Sequence, residues 1–239
     1  MKVIILNSGE GKRMGDLTDY KPKCMVNLNE DTILSRQLKQ LRKHDLTDII
    51  ITTGPHERKL VKYTKKNSED IDLEFVNNEK YAETNYIYSL YLTKDLVYNE
   101  DVVLMHGDLF FEDEIVDILL KNQDKSCGLI NEVVSPPEKD FKAIISDGFV
   151  KKIGVDIEKD KGVLFQPFYF LKNTDFKKWM FSIEKFVDEG KTNVYAEDAL
   201  NPLLENGKIN LKGAKFKDKL CMEIDTPVNL KNAKSILNR

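Results

Sequence analysis

The residues best suited to chemistry lie in the first twenty-five positions, with isolated acids far downstream. The apolar run Val3-Ile4-Ile5-Leu6 leads straight into Asn7-Ser8-Gly9-Glu10-Gly11-Lys12-Arg13, and a polar span closes on Pro22-Lys23. A short β-branched run bounded by a glycine-bearing turn predicts a buried strand feeding a loop. Gly9 and Gly11 remove side chains where a bulky group must approach the backbone. The amide N–H groups of such a turn, with Lys12, Arg13 and Lys23 beside them, form a cradle for a polyphosphate. Two common phosphate-binding patterns do not fit. Met14 stands where the third glycine of a dinucleotide fingerprint belongs, and no G-x-x-x-x-G-K-[ST] loop occurs. No Ser-His-Asp or Cys-His signature is recognisable either.

The elements that must position these residues alternate strand and helix. Asp31-Thr32 predicts the cap of a helix through Ile33, Leu34, Leu38 and Leu41. Strands are expected at Ile49–Thr53, Ile71–Val76 and Val102–Met105, and helices at Glu57–Asn67, Ile87–Leu92 and Glu112–Asn122. Alternation of this kind implies a Rossmann-like α/β fold, a mainly parallel sheet flanked by helices. Ligands of such sheets sit beyond the carboxyl ends of the strands, where both the glycine loop and Gly107-Asp108 belong. From Ser126 the pattern changes to short strands (Ser126–Val134, Ala143–Ile145, Phe149–Val155, Val163–Leu171), a small mixed or antiparallel C-terminal extension. Helices at Phe176–Glu189, Val194–Leu204 and Pro227–Leu237 and a strand at Leu220–Ile224 complete the chain. One domain over residues 1–239 is expected, with a nucleotide-binding half (1–127) and an acceptor-binding half and lid (128–239).

Net charge of −3 argues against a general nucleic-acid binder. No apolar run approaches the roughly 18–20 residues that span a bilayer. Cys24, Cys127 and Cys221 lack CxxC spacing, so the expectation is a reduced, cytoplasmic protein without a zinc site or disulfide framework.

The run Gly9-Glu10-Gly11-Lys12-Arg13-Met14 followed by Lys21-Pro22-Lys23 resembles the G-x-G-x-R-[LM]…P-K signature of nucleotidyltransferases that activate sugar phosphates and small phospho-alcohols. Tyr81-Ala82-Glu83-Thr84-Asn85-Tyr86-Ile87-Tyr88-Ser89-Leu90 is similar to the asparagine-bearing segment of the bacterial phosphocholine cytidylyltransferase branch. Gly107-Asp108 matches the family's metal-binding aspartate, and Glu223-Ile224-Asp225 its late acidic pair. The resemblance implies transfer of CMP from CTP to a small phosphorylated acceptor. Leu6, Asn7, Ser8, Gly9, Glu10, Gly11 and Lys12 are then expected along the nucleotide, and Thr84, Asn85 and Ser89 at base and ribose. Arg13 and Lys23 carry the catalytic charge, Arg13 toward pyrophosphate and Lys23 between the α-phosphate and the acceptor. Asp108, Asp225 and Glu223 offer hard oxygens suited to Mg²⁺, with Mn²⁺ as the alternative. Asp108 and Asp225 also stand where helix caps are common, and His106 is expected to face a neighbouring strand with no chemistry. The family usually has small apolar residues where Asn7-Ser8 stand, and often asparagine where Tyr86 stands.

Phe141, Tyr195, Glu197 and Asp198 are the expected acceptor contacts. A quaternary ammonium calls for an aromatic cage, usually with tryptophan. Trp179 instead reads as core, which turns the expectation from choline toward phosphorylated L-glutamine, as in the cytidylyltransferases of capsular phosphoramidate synthesis. Phosphocholine, 2-aminoethylphosphonate and sugar 1-phosphates remain alternatives. A catalytically silent nucleotide-binding module would be expected to lack Lys23 or a metal acid, and neither is missing.

Overall fold

A computed structural model describes residues 1–68 and 70–237. The first half contains β1 (Lys2–Leu6), the two-stranded hairpin β2 (Asn27–Leu28) and β3 (Asp31–Thr32), α1 (Ile33–Arg42), β4 (Asp48–Thr53), α2 (Glu57–Lys66), β5 (Asp72–Asn77), α3 (Tyr86–Tyr91), β6 (Val102–His106), β7 (Leu109–Phe111) and α4 (Glu114–Lys121). The second half contains β8 (Cys127–Asn131), β9 (Lys142–Ser146), β10 (Phe149–Gly154), β11 (Val163–Leu171), α5 (Asn173–Asp188), α6 (Ala196–Glu205), β12 (Lys212–Lys215), β13 (Cys221–Glu223) and α7 (Pro227–Leu237).

One nine-stranded sheet runs in the order β5-β4-β1-β6-β11-β8-β12-β10-β9. Its first four strands pair in parallel. Strand β11 then enters antiparallel to β6 and β8, β12 is parallel to β8, and β10 pairs antiparallel with β12 and β9. The mixed strands expected as a C-terminal extension continue the central sheet, because the nine-residue β11 pairs with both β6 and β8.

Both faces of the sheet are covered, as a continuous apolar strand requires. Ile4 and Ile50 belong to the core under α3, α5 and α6, whereas Val3, Ile5, Ile49 and Ile51 belong to the opposite core under α1 and α4. A third cluster joins Met14, Val26, Leu28 and Ile33 to Phe110, Ile224, Leu230 and Ala233, tying the segment after the glycine loop to the C-terminal elements. Trp179 is fully buried in the first core, and its Nε1 donates to the Ala196 carbonyl at 3.0 Å. No helix among the described residues is long and apolar enough to cross a membrane. Cys24, Cys127 and Cys221 are free and buried.

Candidate active site

The site is assembled by a pairing that no local pattern contains. Strands β7 and β13 form an antiparallel ribbon in which Leu109 faces Glu223. The Ile224 N–H donates to the Asp108 carbonyl at 2.9 Å, so Asp108 and Asp225 flank the same end of the ribbon. Lys23 begins a short 3₁₀ turn after the extended Pro22 and reaches both acids. Its Nζ bonds Asp108 Oδ2 and, at 2.7 Å, Asp225 Oδ1. Arg13 Nη2 adds a 2.8 Å bond to that same Asp225 oxygen. Burial works to discharge Lys23, but the charges of Asp108 and Asp225 prevail and hold its pKa well above the usual lysine value. Burial also opposes ionisation of Asp108, yet Lys23 and His106 keep its carboxyl below the ordinary aspartate value.

On one side of this charge cluster lies a cavity of about 350 Å³ lined by residues 6–13, Lys23, Asn78, Thr84, Asn85 and Ser89. The expected nucleotide contacts all reach it. Gly11 adopts φ +70°, and the Thr18 hydroxyl donates to its carbonyl at 3.1 Å, fixing the turn. Asn7 and Ser8 are anchored to strand β4: the Asn7 N–H and the Ser8 hydroxyl both donate to Thr52 Oγ1, at 3.0 and 2.9 Å. The Asn7 side chain fills the space at Gly107, where a Cβ would fall 1.9 Å from Asn7 Oδ1. Glu10 and Lys12 pair with each other at 2.7 Å. Asn85 caps α3, its Oδ1 accepting the Tyr86 N–H at 2.8 Å. Asn78 went unnoticed in the sequence. It is buried, and its Nδ2 donates to the Thr84 and Ser89 hydroxyls at 3.0 Å each. The only sequence signal for it is an asparagine one residue past a strand.

On the other side a cavity of about 1150 Å³ is lined by Tyr86, His106, Phe141, Tyr195, Glu223 and the charged segments 138–142 and 155–160. Tyr195 meets Phe141 edge-on at 5.1 Å and tilts toward Tyr86 at 5.8 Å. Glu197 and Asp198 do not line this cavity. Glu197 is only 2% exposed and accepts the hydroxyls of Tyr86 and, at 2.6 Å, Tyr169. Burial and Glu197 together hold the Tyr86 hydroxyl protonated, well above its ordinary pKa. Asp198 Oδ2 accepts the Tyr195 N–H at 3.0 Å, the capping role that an acid in a first helical turn favours. Buried Lys142 donates to the carbonyls of Glu138 and Asp140, both at 2.9 Å, and so holds the loop that bears Phe141.

His106 lines both cavities, contrary to the expectation that it merely faces a strand. Its Nδ1 lies 3.2 Å from Glu223 Oε1, and its ring meets Tyr86 edge-on at 4.6 Å. Burial favours neutral His106, but the hydrogen bond and charge of Glu223 raise its pKa above the ordinary value. Glu223 is itself pushed up by burial and by the charge of Asp108. The strand end and the following Gly107-Asp108 are the only sequence signals for His106.

A divalent cation suits this donor set. Asp108 Oδ1 is buried with no hydrogen-bond partner, although Oδ2 of the same carboxylate is engaged. A buried acceptor without a donor is costly unless something positive meets it.

Several known proteins are similar to this chain in sequence or in fold. Choline-phosphate cytidylyltransferase of Streptococcus pneumoniae is 36% identical over 110 residues, 46% of this chain and 46% of that protein. CTP:phosphoglutamine cytidylyltransferase of Campylobacter jejuni is 26% identical over 168 residues, 64% of this chain and 65% of that protein. A bifunctional GlmU protein of Methanococcus maripaludis is 28% identical over 222 residues, covering 89% of this chain and 50% of that protein. The chain spans about half the length of the curated GlmU relatives it matches. A solved CTP:phosphocholine cytidylyltransferase from Streptococcus pneumoniae superposes with a TM-score of 0.80 at 22% identity, covering 99% of this chain and 98% of that one, which establishes the nucleotidyltransferase Rossmann-like fold. The nucleotidyl transferase family profile matches residues 2–146, and the chain belongs to that family.

Proposed function

We propose that the chain transfers a cytidylyl group from CTP to the phosphate of a small phosphorylated acceptor, with phosphorylated L-glutamine the favoured acceptor and CDP-L-glutamine the product. The observation that carries this reading is the seam between the cavities. Arg13, Asn85, Tyr86, His106, Asp108 and Asp225 line both of them. The charged groups therefore stand where a nucleotide on one side and an acceptor on the other meet.

In the transfer an acceptor phosphate oxygen forms a bond to the α-phosphorus, the bond from that phosphorus to the α–β bridging oxygen breaks, and pyrophosphate leaves. The acceptor's phosphoryl oxygens are already anionic near neutral pH, so no general base is required. The barrier is electrostatic, and positioned positive charge lowers it. Lys23 faces the reaction centre, and Arg13 neutralises the departing pyrophosphate through its forked donors. Asp108, with Glu223 and Asp225 beside it, would hold a divalent cation, which would supply further neutralisation of the triphosphate. Amides of Ser8 to Gly11 cradle the phosphates, while Thr84, Asn85 and Ser89, steadied by Asn78, lie toward base and ribose.

The favoured acceptor rests on two supports. Trp179 is core and unavailable for a quaternary ammonium cage. The cavity rim carries both signs of charge, with Lys139 and Lys159 beside Asp156 and Asp160, which suits an amino-acid zwitterion. The test is pyrophosphate release from each of the four NTPs against phosphorylated L-glutamine, phosphocholine, 2-aminoethylphosphonate and hexose 1-phosphates, with and without Mg²⁺. Turnover confined to CTP and phosphorylated glutamine is expected. Turnover with another acceptor would correct the substrate, and none at all would overturn the transferase reading.

A further inference from the structure

The carboxylates of Asp108 and Asp225 are engaged differently. Lys23 and Arg13 both bond Asp225 Oδ1, and Lys23 also bonds Asp108 Oδ2, which leaves Asp108 Oδ1 buried and unpartnered. That oxygen is the buried acceptor of the acid pair that lacks a donor. There, His106 and Glu223 come together with Asp108: one ligand atom from each of the three lies within 4.8 Å of the others. Among the described residues this is the one histidine–acid group so arranged. The side chains are only 12% (His106), 17% (Asp108) and 14% (Glu223) exposed, so any ion they meet is largely dehydrated by protein.

We propose that His106 is a direct ligand of the cation, making this a mixed nitrogen–oxygen centre of His106, Asp108 and Glu223 that binds Mn²⁺ in preference to Mg²⁺. The chemistry of the donors decides the metal. Mg²⁺ is hard, demands near-ideal octahedral oxygen coordination and gives up water reluctantly. An imidazole nitrogen suits the first-row transition metals and adds little for Mg²⁺. Tyr86, edge-on to the His106 ring, and the ribbon that carries Glu223 keep the imidazole in place, so its orientation is set before an ion arrives. The inference rests on the reading above only in placing a cation at Asp108.

The test uses the full chain stripped of metal and titrated separately with Mn²⁺ and Mg²⁺, with no nucleotide present. Pulsed electron paramagnetic resonance of the Mn²⁺-loaded protein reports directly whether a nitrogen is bound. Imidazole-nitrogen modulation is expected in the wild type, together with tighter binding of Mn²⁺ than of Mg²⁺. His106→Gln should abolish the modulation and weaken Mn²⁺ by at least about tenfold, with circular dichroism confirming the fold. Bound Mn²⁺ without nitrogen modulation in the wild type, or no Mn²⁺ binding, overturns the proposal whether or not the variant folds. Nitrogen modulation in a protein without nucleotidyl transfer would leave this centre standing and sink the transferase reading. Transfer without modulation would do the reverse.

Discussion

The two cavities that meet at Arg13, Asp108 and Asp225 are built in different ways. The smaller is lined by the glycine loop after β1 and by residues at or just past the carboxyl ends of parallel strands, with internal bonds such as Asn78 to Thr84 and Ser89. The larger is lined by long charged side chains and three aromatic rings, carried largely by the loops around β9 and β10 and by the start of α6. Rigid strand ends present a fixed set of donors, which suits one unchanging ligand. Loop-borne side chains can vary without disturbing the sheet, which suits a ligand that differs among relatives. On the proposed assignment of nucleotide and acceptor to the two cavities, the difference makes reaction chemistry and acceptor choice separable.

Asp108→Asn, at the seam, should affect transfer with any acceptor, lowering turnover by about 10²- to 10³-fold while leaving circular dichroism unchanged. Full activity at ordinary Mg²⁺ or Mn²⁺ would remove Asp108 from the chemistry. Lys23→Ala should lower kcat by roughly 10²-fold with little change in KM for CTP. A change in KM alone would make Lys23 a uniform binding contact. The same variant leaves Asp108 and Asp225 without their shared cation, and equilibrium denaturation should show a loss of about 3 kcal/mol near neutral pH.

Tyr195→Ala separates the cavities most directly. It should raise the acceptor KM by about tenfold, equivalent to about 1.4 kcal/mol, and leave the CTP KM unchanged. Equal shifts in both KM values would mean that the cavities are not independent. The smallest effect concerns the seam itself. The folded pKa of His106 lies above its ordinary 6.5, so its stabilising contribution is fully present below about pH 6.5 and is lost as pH rises through the raised folded value. In chelator-treated samples the thermal stability of wild type relative to His106→Gln should therefore shrink with rising pH across that window. A difference independent of pH would show that the His106–Glu223 pair does not change charge there.

The parallel half of the sheet was legible because β1, β4 and β6 are continuous apolar runs and β5 alternates, and the Thr32 cap of α1 because capping is local: Thr32 and Ser35 exchange bonds. Helix α5 begins at Asn173, before the expected Phe176, because its first turn carries no apolar residue to register in the periodicity. The hairpin β2–β3 and strands β7 and β12 are too short to show a period of their own. Glu197 shows what one-dimensional patterning loses. An acid in a first helical turn reads as solvent-facing, yet two tyrosine hydroxyls far away in sequence draw it inside. His106 and Asn78 are single polar residues at or just past strand ends: the partner of His106, Glu223, is far away in sequence, and Asn78 bonds Thr84 and Ser89 across the irregular segment between β5 and α3.

The ribbon of β7 and β13 also has a consequence for synthesis. A nascent chain can complete its glycine loop, Lys23 and Asp108 while Cys221–Asp225 has yet to be translated. Until that segment emerges and pairs with β7, Asp108 lacks the second acid and the charge cluster cannot close. Closure of that cluster is thereby deferred until residues 221–225 have been made, and a ribosome stalled before Cys221 would carry the glycine loop and its strands without the acids that complete the proposed centre.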